Sequence, residues 1–243
     1  MRRAPPLVAV LLASSASVAA AQSVPAPIAT ERAEFARWLA DAPTSPYRAV
    51  VQHPVGNRIT LGPAGSDIPL AGERETVLEE RRGRLALTVA GAATPIARDR
   101  VVSIGSHRLV VSGPPGRSVA MVYRDQATGF KAPRYFPYAA AWRFLVELKP
   151  PARANAQRML APDGTEVEAT EAGTVTVTVA GKPVALRVFR IPAPGGEESE
   201  LEIYFRDGTN GKGSYPAGRF VALVPAAGGR YELDFNRARQ PFC

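Results

Sequence analysis

The chain has 243 residues, a formal net charge of +8 and one cysteine, and 46% of its residues are hydrophobic. That length suits one large β domain or two smaller ones, each with its own core. The single cysteine, Cys243, excludes an internal disulfide, and the scattered arginines form no dense basic tract, which argues against nucleic-acid binding.

The first 21 residues have the pattern of a secretory signal peptide. Two arginines precede an apolar run, Leu7 to Ala21, that ends in three small residues before Gln22. The run is too short for a membrane span, and no later segment is apolar enough to cross a bilayer. We therefore expect residues 1–21 to be removed and the mature protein to be periplasmic or secreted.

Residues 22–43 read as a leader followed by one short amphipathic helix. In TERAEFARWLADAP, Thr30 is placed to cap the helix and Pro43 to end it. Phe35, Trp38 and Leu39 share one face at the spacing i, i+3, i+4, so this face should pack on the segments that follow.

Most of the chain from Tyr47 onward reads as short strands rich in Val, Leu and Ile, separated by Gly, Pro or Asp. This pattern is typical of antiparallel sandwiches and barrels, and it predicts a mainly β fold with two antiparallel β units. We place an N-terminal β domain at residues 44–125 and a C-terminal β domain at residues 126–243. Near their joint, the cluster RYFPY, residues 134–138, is either a hydrophobic plug between the units or the mouth of a ligand cleft.

The clearest hairpin of the second unit is TVTVTVAGKPVALRVFR. Val175, Val177 and Val179 alternate with threonines, and the turn falls at Ala180-Gly181-Lys182. A polar stretch, from Lys149 to Ala172, precedes this hairpin. The last three strands are ELEIYFRD, AGRFVALV and GRYELDFN.

The stretch FRDGTNGKGSYPAGRF, residues 205–220, holds more polar groups than a plain hairpin turn needs. It is not a P-loop because Gly213 follows Lys212 where Ser or Thr is required, and it is not an EF-hand because Gly218 replaces the last acid. The predicted final strand adds Asp234 and Asn236 on one sheet face.

Buried arginines need acid partners. Arg206 and Arg219 lie on the two arms of this hairpin, and Asp207 and Asp234 are the available carboxylates. We therefore expect Arg219 to sit opposite both carboxylates.

Three functions are consistent with this polar set. The first is binding of a small polar or anionic ligand, or of an envelope polymer, at the C-terminal hairpin. The candidate binding residues are Arg206, Asp207, Thr209, Asn210, Tyr215, Arg219, Asp234 and Asn236. The second is a hydrolase that uses Asp207 and Asp234 as acid and base. The third is a structural or interaction module in which the network is filled and binds no ligand. Only two histidines are present and they lie far apart, so we predict neither a metal site nor a cofactor.

The runs RYFPYAAAWRF, YFRDGTNGKGSYPAGRFVALVP and LDFNRARQPFC resemble the bacterial family known as domain of unknown function 1684. The resemblance extends from about Glu31 to Cys243 and is strongest after Phe130. It implies a secreted, two-part β protein without an established activity. The family's polar positions fall on Arg206, Asp207, Thr209, Gly211, Tyr215, Gly218, Arg219, Asp234, Asn236, Arg237, Ala238, Pro241 and Cys243. The sequence departs from the family at Gln240-Pro241, where Asn-Pro is typical.

A fainter resemblance links the N-terminal unit to forkhead-associated sandwiches. NRITLGPAGSDIPL and TPIARDRVVSIGSHRLVV are similar to their strand pattern. Pro63 stands where those domains have their phosphopeptide-binding arginine, so phosphothreonine binding is not implied.

Overall fold

The computed structural model describes residues 22–153, 155–160, 166–192 and 199–241. In these ranges the protein is mainly β, as predicted, with one α-helix, α1 (Ala26–Asp41), ahead of the strands. The predicted signal peptide, residues 1–21, and Cys243 lie outside the described residues.

The strands fall into two groups along the chain. The first group is β1 (Ala49–Pro54), β2 (Arg58–Gly62), β3 (Ile68–Pro69), β4 (Thr76–Arg81), β5 (Arg84–Val89), β6 (Ala92–Ile96), β7 (Val102–Ile104), β8 (His107–Ser112) and β9 (Val119–Arg124). The second group is β10 (Arg143–Val146), β11 (Ala156–Leu160), β12 (Glu166–Val179), β13 (Lys182–Pro192), β14 (Ser199–Phe205), β15 (Arg219–Pro225) and β16 (Tyr231–Asp234). Short 3-10 helices cover Pro46–Arg48, Ala140–Trp142, Ala227–Gly229 and Phe235–Arg237.

The first group forms two sheets, one with the order β1-β9-β8-β7 and the other with the order β3-β2-β4-β5-β6. Every pairing is antiparallel except the short parallel contact between β2 and β3. Leu61 and Leu78 of one sheet and Leu109 and Val122 of the other belong to a single buried cluster. The two sheets therefore share one core, as in a sandwich.

The second group forms one seven-stranded antiparallel sheet with the order β10-β16-β15-β14-β13-β12-β11. One face buries a cluster that contains Val175, Ile203 and Leu233, and the other face buries a smaller cluster with Phe189 and Ile191. Among the described residues, none of the three sheets closes into a barrel. The two groups meet at the loop before β10, and the domain limits at residues 125 and 126 stay a prediction.

The β12–β13 hairpin has the predicted turn. Val179 pairs with Lys182, and both turn residues, Ala180 and Gly181, have the positive φ that a tight two-residue hairpin turn requires. The polar stretch between Lys149 and Ala172, to which the sequence pattern assigns no strand, contains β11 and the first part of β12. Met159, Val167 and Ala169 of this segment pack in the smaller cluster with Phe189 and Ile191.

β12 has a bulge at Gly173, next to the antiparallel bridge between Thr174 and Lys149. The φ of Gly173 is +149°, and a Cβ at this position would lie 2.2 Å from the Lys149 carbonyl oxygen. A residue without a side chain is therefore required for the close backbone approach.

The predicted helix exists but begins earlier than expected. It starts at Ala26 after Pro25, so Thr30 lies inside the helix and does not cap it. Prolines are tolerated in the first helical turn because the N–H groups there have no partner in the helix. On the predicted apolar face, Leu39 is buried and Phe35 stacks against Trp38, with 5.8 Å between the ring centroids.

Candidate functional site

The loop between β14 and β15 is built around the side chains of Asp207 and Asn210. Asp207 Oδ1 accepts hydrogen bonds from Thr209 N at 2.9 Å and from Thr209 Oγ1 at 2.6 Å. Asn210 Oδ1 accepts from Asp207 N at 2.5 Å, and Asn210 Nδ2 donates to Tyr215 O at 2.7 Å. These side chains replace backbone hydrogen bonds in the turn, so they are already occupied within the loop.

Arg219 binds this loop to the sheet. Its guanidinium donates to Asp207 Oδ2 and lies over two rings, 5.0 Å from the centroid of Phe205 and 5.5 Å from that of Phe136. The Arg219 side chain is only 12% exposed, whereas Arg206 points into solvent. Gly218 precedes Arg219 with a φ of +135°, and a Cβ there would lie 2.9 Å from Phe205 O. Through these contacts the Arg219 guanidinium holds the loop against β15 and the aromatic rings, and we call this set of contacts the Arg219 clamp.

The pKa of Asp207 reflects these contacts. Partial burial alone would raise the pKa of this carboxyl, but the hydrogen bonds from Thr209 and the charge of Arg219 outweigh burial and lower it. Asp207 is therefore ionised at neutral pH and unsuited to act as a general acid there.

Asp234 belongs to a separate cluster. Its Oδ1 accepts from Asn236 N at 2.9 Å and from Asn236 Nδ2 at 2.7 Å, which starts the 3-10 helix Phe235–Arg237. Its Oδ2 lies 3.7 Å from Arg237 Nε. The prediction that Asp234 faces Arg219 is wrong, since Arg219 forms its ion pair with Asp207. The expectation that Asn236 continues the last strand is also wrong, because β16 ends at Asp234.

The Asp234 cluster joins distant segments of the chain. Asn236 exchanges two hydrogen bonds of 3.0 Å with the backbone of Ala139. Arg237 pairs with Glu31 of α1 at 3.0 Å, and Arg32 donates to Asn236 O at 3.1 Å. These contacts hold α1 and the loop before β10 against the end of the chain.

A groove of about 330 Å³ opens beside this junction. It lies between α1, the loop before β10 and the segment that follows the last 3-10 helix. The lining residues are Phe35, Leu39, Pro46, Tyr47, Pro133, Arg134, Tyr135, Ala238, Arg239, Gln240 and Pro241. Among the described residues, this lining contains two arginines and no carboxylate side chain, so it favours anions electrostatically.

Arginines and aromatic rings are paired around the groove. The Arg239 guanidinium lies 4.6 Å from the Phe35 ring centroid, and the Arg32 guanidinium lies 4.2 Å from that of Tyr135. Burial raises the pKa of the Tyr135 phenol, and the charges of Arg32 and Arg239 only partly oppose this effect. Tyr135 therefore remains a neutral hydroxyl. Behind the groove, a cavity of about 20 Å³, the size of one water molecule, is lined by Arg32, Asn236 and Arg237 among others.

A second polar cluster, Glu73, Ser106 and His107, brings together the residue types of a hydrolase triad. Glu73 Oε1 accepts from Ser106 Oγ at 2.6 Å and lies 2.9 Å from His107 Nδ1. Ser106 Oγ approaches the same nitrogen at 3.3 Å. In a triad the acid and the serine bind opposite nitrogens of the imidazole. This cluster instead fixes the turn between β7 and β8.

The described residues contain no group of three or more His, Cys, Asp or Glu side chains arranged to hold a metal ion. Within the same ranges, no helix is long and apolar enough to cross a bilayer.

Residues 128–243 match the family described as "Protein of unknown function (DUF1684)". This region belongs to the DUF1684 family. A solution NMR structure of an uncharacterized protein from Haloarcula marismortui is 29% identical, with a TM-score of 0.40. The similarity covers 47% of this chain and 63% of that protein, which is less than two thirds of its length. No curated protein matches the chain.

The DUF1684 region contains all eight predicted binding residues, but they do not form one site. Five of them, Arg206, Asp207, Thr209, Asn210 and Tyr215, lie in the loop between β14 and β15, and Arg219 is the first residue of β15. Asp234 and Asn236 lie in the second cluster, and of the eight only Asn236 lines the cavity behind the groove. Their role in binding stays a prediction.

Sequence reasoning missed most of the groove. Arg134 and Tyr135 belong to the RYFPY cluster, which was one candidate for a cleft mouth. Arg239 lies in the run LDFNRARQPFC, but no motif or spacing around it indicates a ligand-binding role. The helical spacing places Phe35 on a face that packs against the fold, and this pattern does not predict that the Phe35 ring also lines a groove.

Proposed function

We propose that this is an exported protein that binds a small anionic ligand in the groove between α1, the loop before β10 and the C-terminal segment. The observation that carries the proposal is the charge of the lining, which in the described part of the chain has Arg134 and Arg239 and no acidic side chain. A guanidinium offers several N–H donors in a planar fork that suits carboxylate and phosphate groups.

Arg239 is available for such a ligand. Among the described residues its side chain forms no ion pair. Its guanidinium lies over the Phe35 ring, and its charge also acts on Tyr135 and Glu202. Its backbone is fixed, because Arg239 and Phe220 exchange hydrogen bonds of 3.0 and 2.9 Å. A charged group held on a fixed backbone loses little freedom on binding, which favours affinity.

The internal contacts of the predicted hairpin site favour a structural role for that loop. Asp207 and Asp234 belong to separate hydrogen-bonded clusters, and neither lines the groove. The geometry therefore gives no support to a hydrolase that uses these two carboxylates as a pair.

Export is the second part of the proposal, and it rests on the sequence of residues 1–21. A positively charged start, an apolar run and three small residues before Gln22 support it. Expression of the full chain with an export-competent host should yield a mature protein that begins at Gln22 in the periplasm or medium. A full-length protein retained in the cytoplasm would contradict export.

Ligand binding can be tested by thermal shift with a panel of carboxylates, phosphates and sulfonates. Three proteins should be compared: wild type, Arg239→Gln, and Arg230→Gln as a matched control that removes an exposed arginine outside the groove. An anion at 100 times its Kd stabilises the folded state by about 2.7 kcal/mol. We expect at least one anion to raise the Tm of wild type and the control but not of Arg239→Gln. An equal response in all three proteins, or none, would refute the groove as an anion site.

A further inference from the structure

We infer that the ligand is an amphiphilic monoanion, a carboxylate attached to a flat apolar body of about two fused rings. This inference rests on the proposed function and specifies the chemical class of the anion. It follows from the division of the groove into a large apolar part and a small cationic part.

The apolar part dominates the lining. Of the eleven lining residues, eight are aliphatic, aromatic or proline, and three, Arg134, Arg239 and Gln240, are polar. A small hydrated anion would contact the arginines and leave the apolar walls in water. A ligand with an apolar body covers those walls and gains roughly 25 cal/mol for each Å² of apolar surface removed from water.

The aromatic walls are held in place by contacts behind them. Tyr47 packs edge-on against Phe130 at 5.2 Å between centroids, and its hydroxyl donates to Lys131 O at 3.1 Å. Phe35 stacks on Trp38, and Tyr135 lies beneath the Arg32 guanidinium. Phe35 also contacts the Arg239 guanidinium, so these rings line the groove as fixed planar groups. A rigid apolar lining loses little freedom when a rigid planar ligand covers it.

The volume limits the size of the apolar body. Pockets for organic ligands have volumes of roughly 300–1,000 Å³, and the groove lies at the lower end of that range. A body of about two rings with one head group fits this volume, whereas a folded polymer chain does not.

The cationic part determines the head group. The Arg239 guanidinium lies over the Phe35 ring, and the exposed Arg134 lines the same groove. A carboxylate next to an aromatic ring can bind the guanidinium fork while its ring covers the apolar surface. A ligand with these two parts uses both halves of the groove.

The test is isothermal titration calorimetry with three matched probes: 2-naphthoate, acetate and 2-naphthalenemethanol. Acetate has the head group without the rings, and the alcohol has the rings without the charge. We expect 2-naphthoate to bind wild type at least tenfold more tightly than either probe. Arg239→Gln should weaken 2-naphthoate binding at least tenfold and leave the alcohol unchanged, while Arg230→Gln, which removes an exposed arginine outside the groove, should change neither.

The other outcomes separate this inference from the proposed function. If acetate binds as tightly as 2-naphthoate, the requirement for an apolar body is wrong and anion binding remains. If the alcohol binds as tightly as 2-naphthoate, the groove does not select anions and both proposals are wrong. If no probe binds, the inference is wrong, and the thermal-shift panel decides the proposed function independently.

Discussion

The pair Arg206 and Arg219 offers a sharp test of the structural role assigned to the hairpin loop. Arg206 is the sequence neighbour of Asp207 and is exposed, whereas Arg219 pairs with Asp207 and contacts the rings of Phe205 and Phe136. We expect Arg219→Leu to lower the free energy of unfolding and Arg206→Leu to leave it within about 0.5 kcal/mol of wild type.

The magnitude follows from the contacts that Arg219→Leu removes. A hydrogen bond between charged groups contributes about 1.5–3 kcal/mol, and the low end applies because the Asp207 side chain is 39% exposed. Each cation–π contact, with Phe205 and with Phe136, contributes about 0.5 kcal/mol, part of which leucine replaces by packing on the same rings. The total is about 2 kcal/mol, which for a protein of this size lowers the Tm by roughly 4–8 °C.

Urea denaturation at pH 7 measures this loss, and a double-mutant cycle with Asp207→Asn isolates the ion pair. Because the pKa of Asp207 is lowered in the folded state, its contribution is present above the unfolded pKa and is lost as pH falls through the folded pKa. The difference between wild type and Asp207→Asn should therefore shrink in acid. Equal unfolding midpoints for Arg219→Leu and Arg206→Leu would refute the clamp.

Two further predictions concern stability elsewhere in the seven-stranded sheet. Burial raises the pKa of Glu202 despite a 2.6 Å hydrogen bond from Tyr204 Oη, so the folded state favours the protonated carboxyl. The free energy of unfolding should therefore fall as pH rises through the folded pKa of Glu202. In urea denaturation, the free energy of unfolding of Glu202→Gln should match that of wild type below about pH 4. At pH 8 it should exceed that of wild type by about 1.4 kcal/mol for each unit of difference between the folded and unfolded pKa. A variant less stable than wild type at pH 8 would contradict this prediction. Gly173→Ala should cost more than about 2 kcal/mol because its Cβ would collide with the Lys149 carbonyl. Gly181→Ala, a control with positive φ but open space, should cost only about 1 kcal/mol, and equal unfolding midpoints would count against the collision.

Local sequence pattern predicted the fold well where one pattern determined one element. The alternation of Val175, Val177 and Val179 and the turn at Ala180-Gly181 specify a hairpin without reference to the rest of the chain. Local pattern did not predict β11, because its residues show no apolar alternation. It is a strand because its backbone pairs with β12.

The candidate site was harder to predict because it depends on contacts between distant segments. Nothing near Arg206 or Arg219 in sequence distinguishes the exposed arginine from the buried one. Phe35 and Arg239 meet across the groove although about 200 positions separate them, and neither has a local signal of binding. Asp234 alternates correctly for the sheet face assigned to it, but the 3-10 helix that follows gives it different partners.

The most direct test of the account is a map of backbone amide chemical shifts during titration of the 15N-labelled protein with 2-naphthoate. We predict saturable shifts at Tyr47, Tyr135 and Gln240, with the loop from Thr209 to Ser214 unaffected. Saturable shifts confined to that loop, with the groove residues unchanged, would contradict the assignment of the binding site.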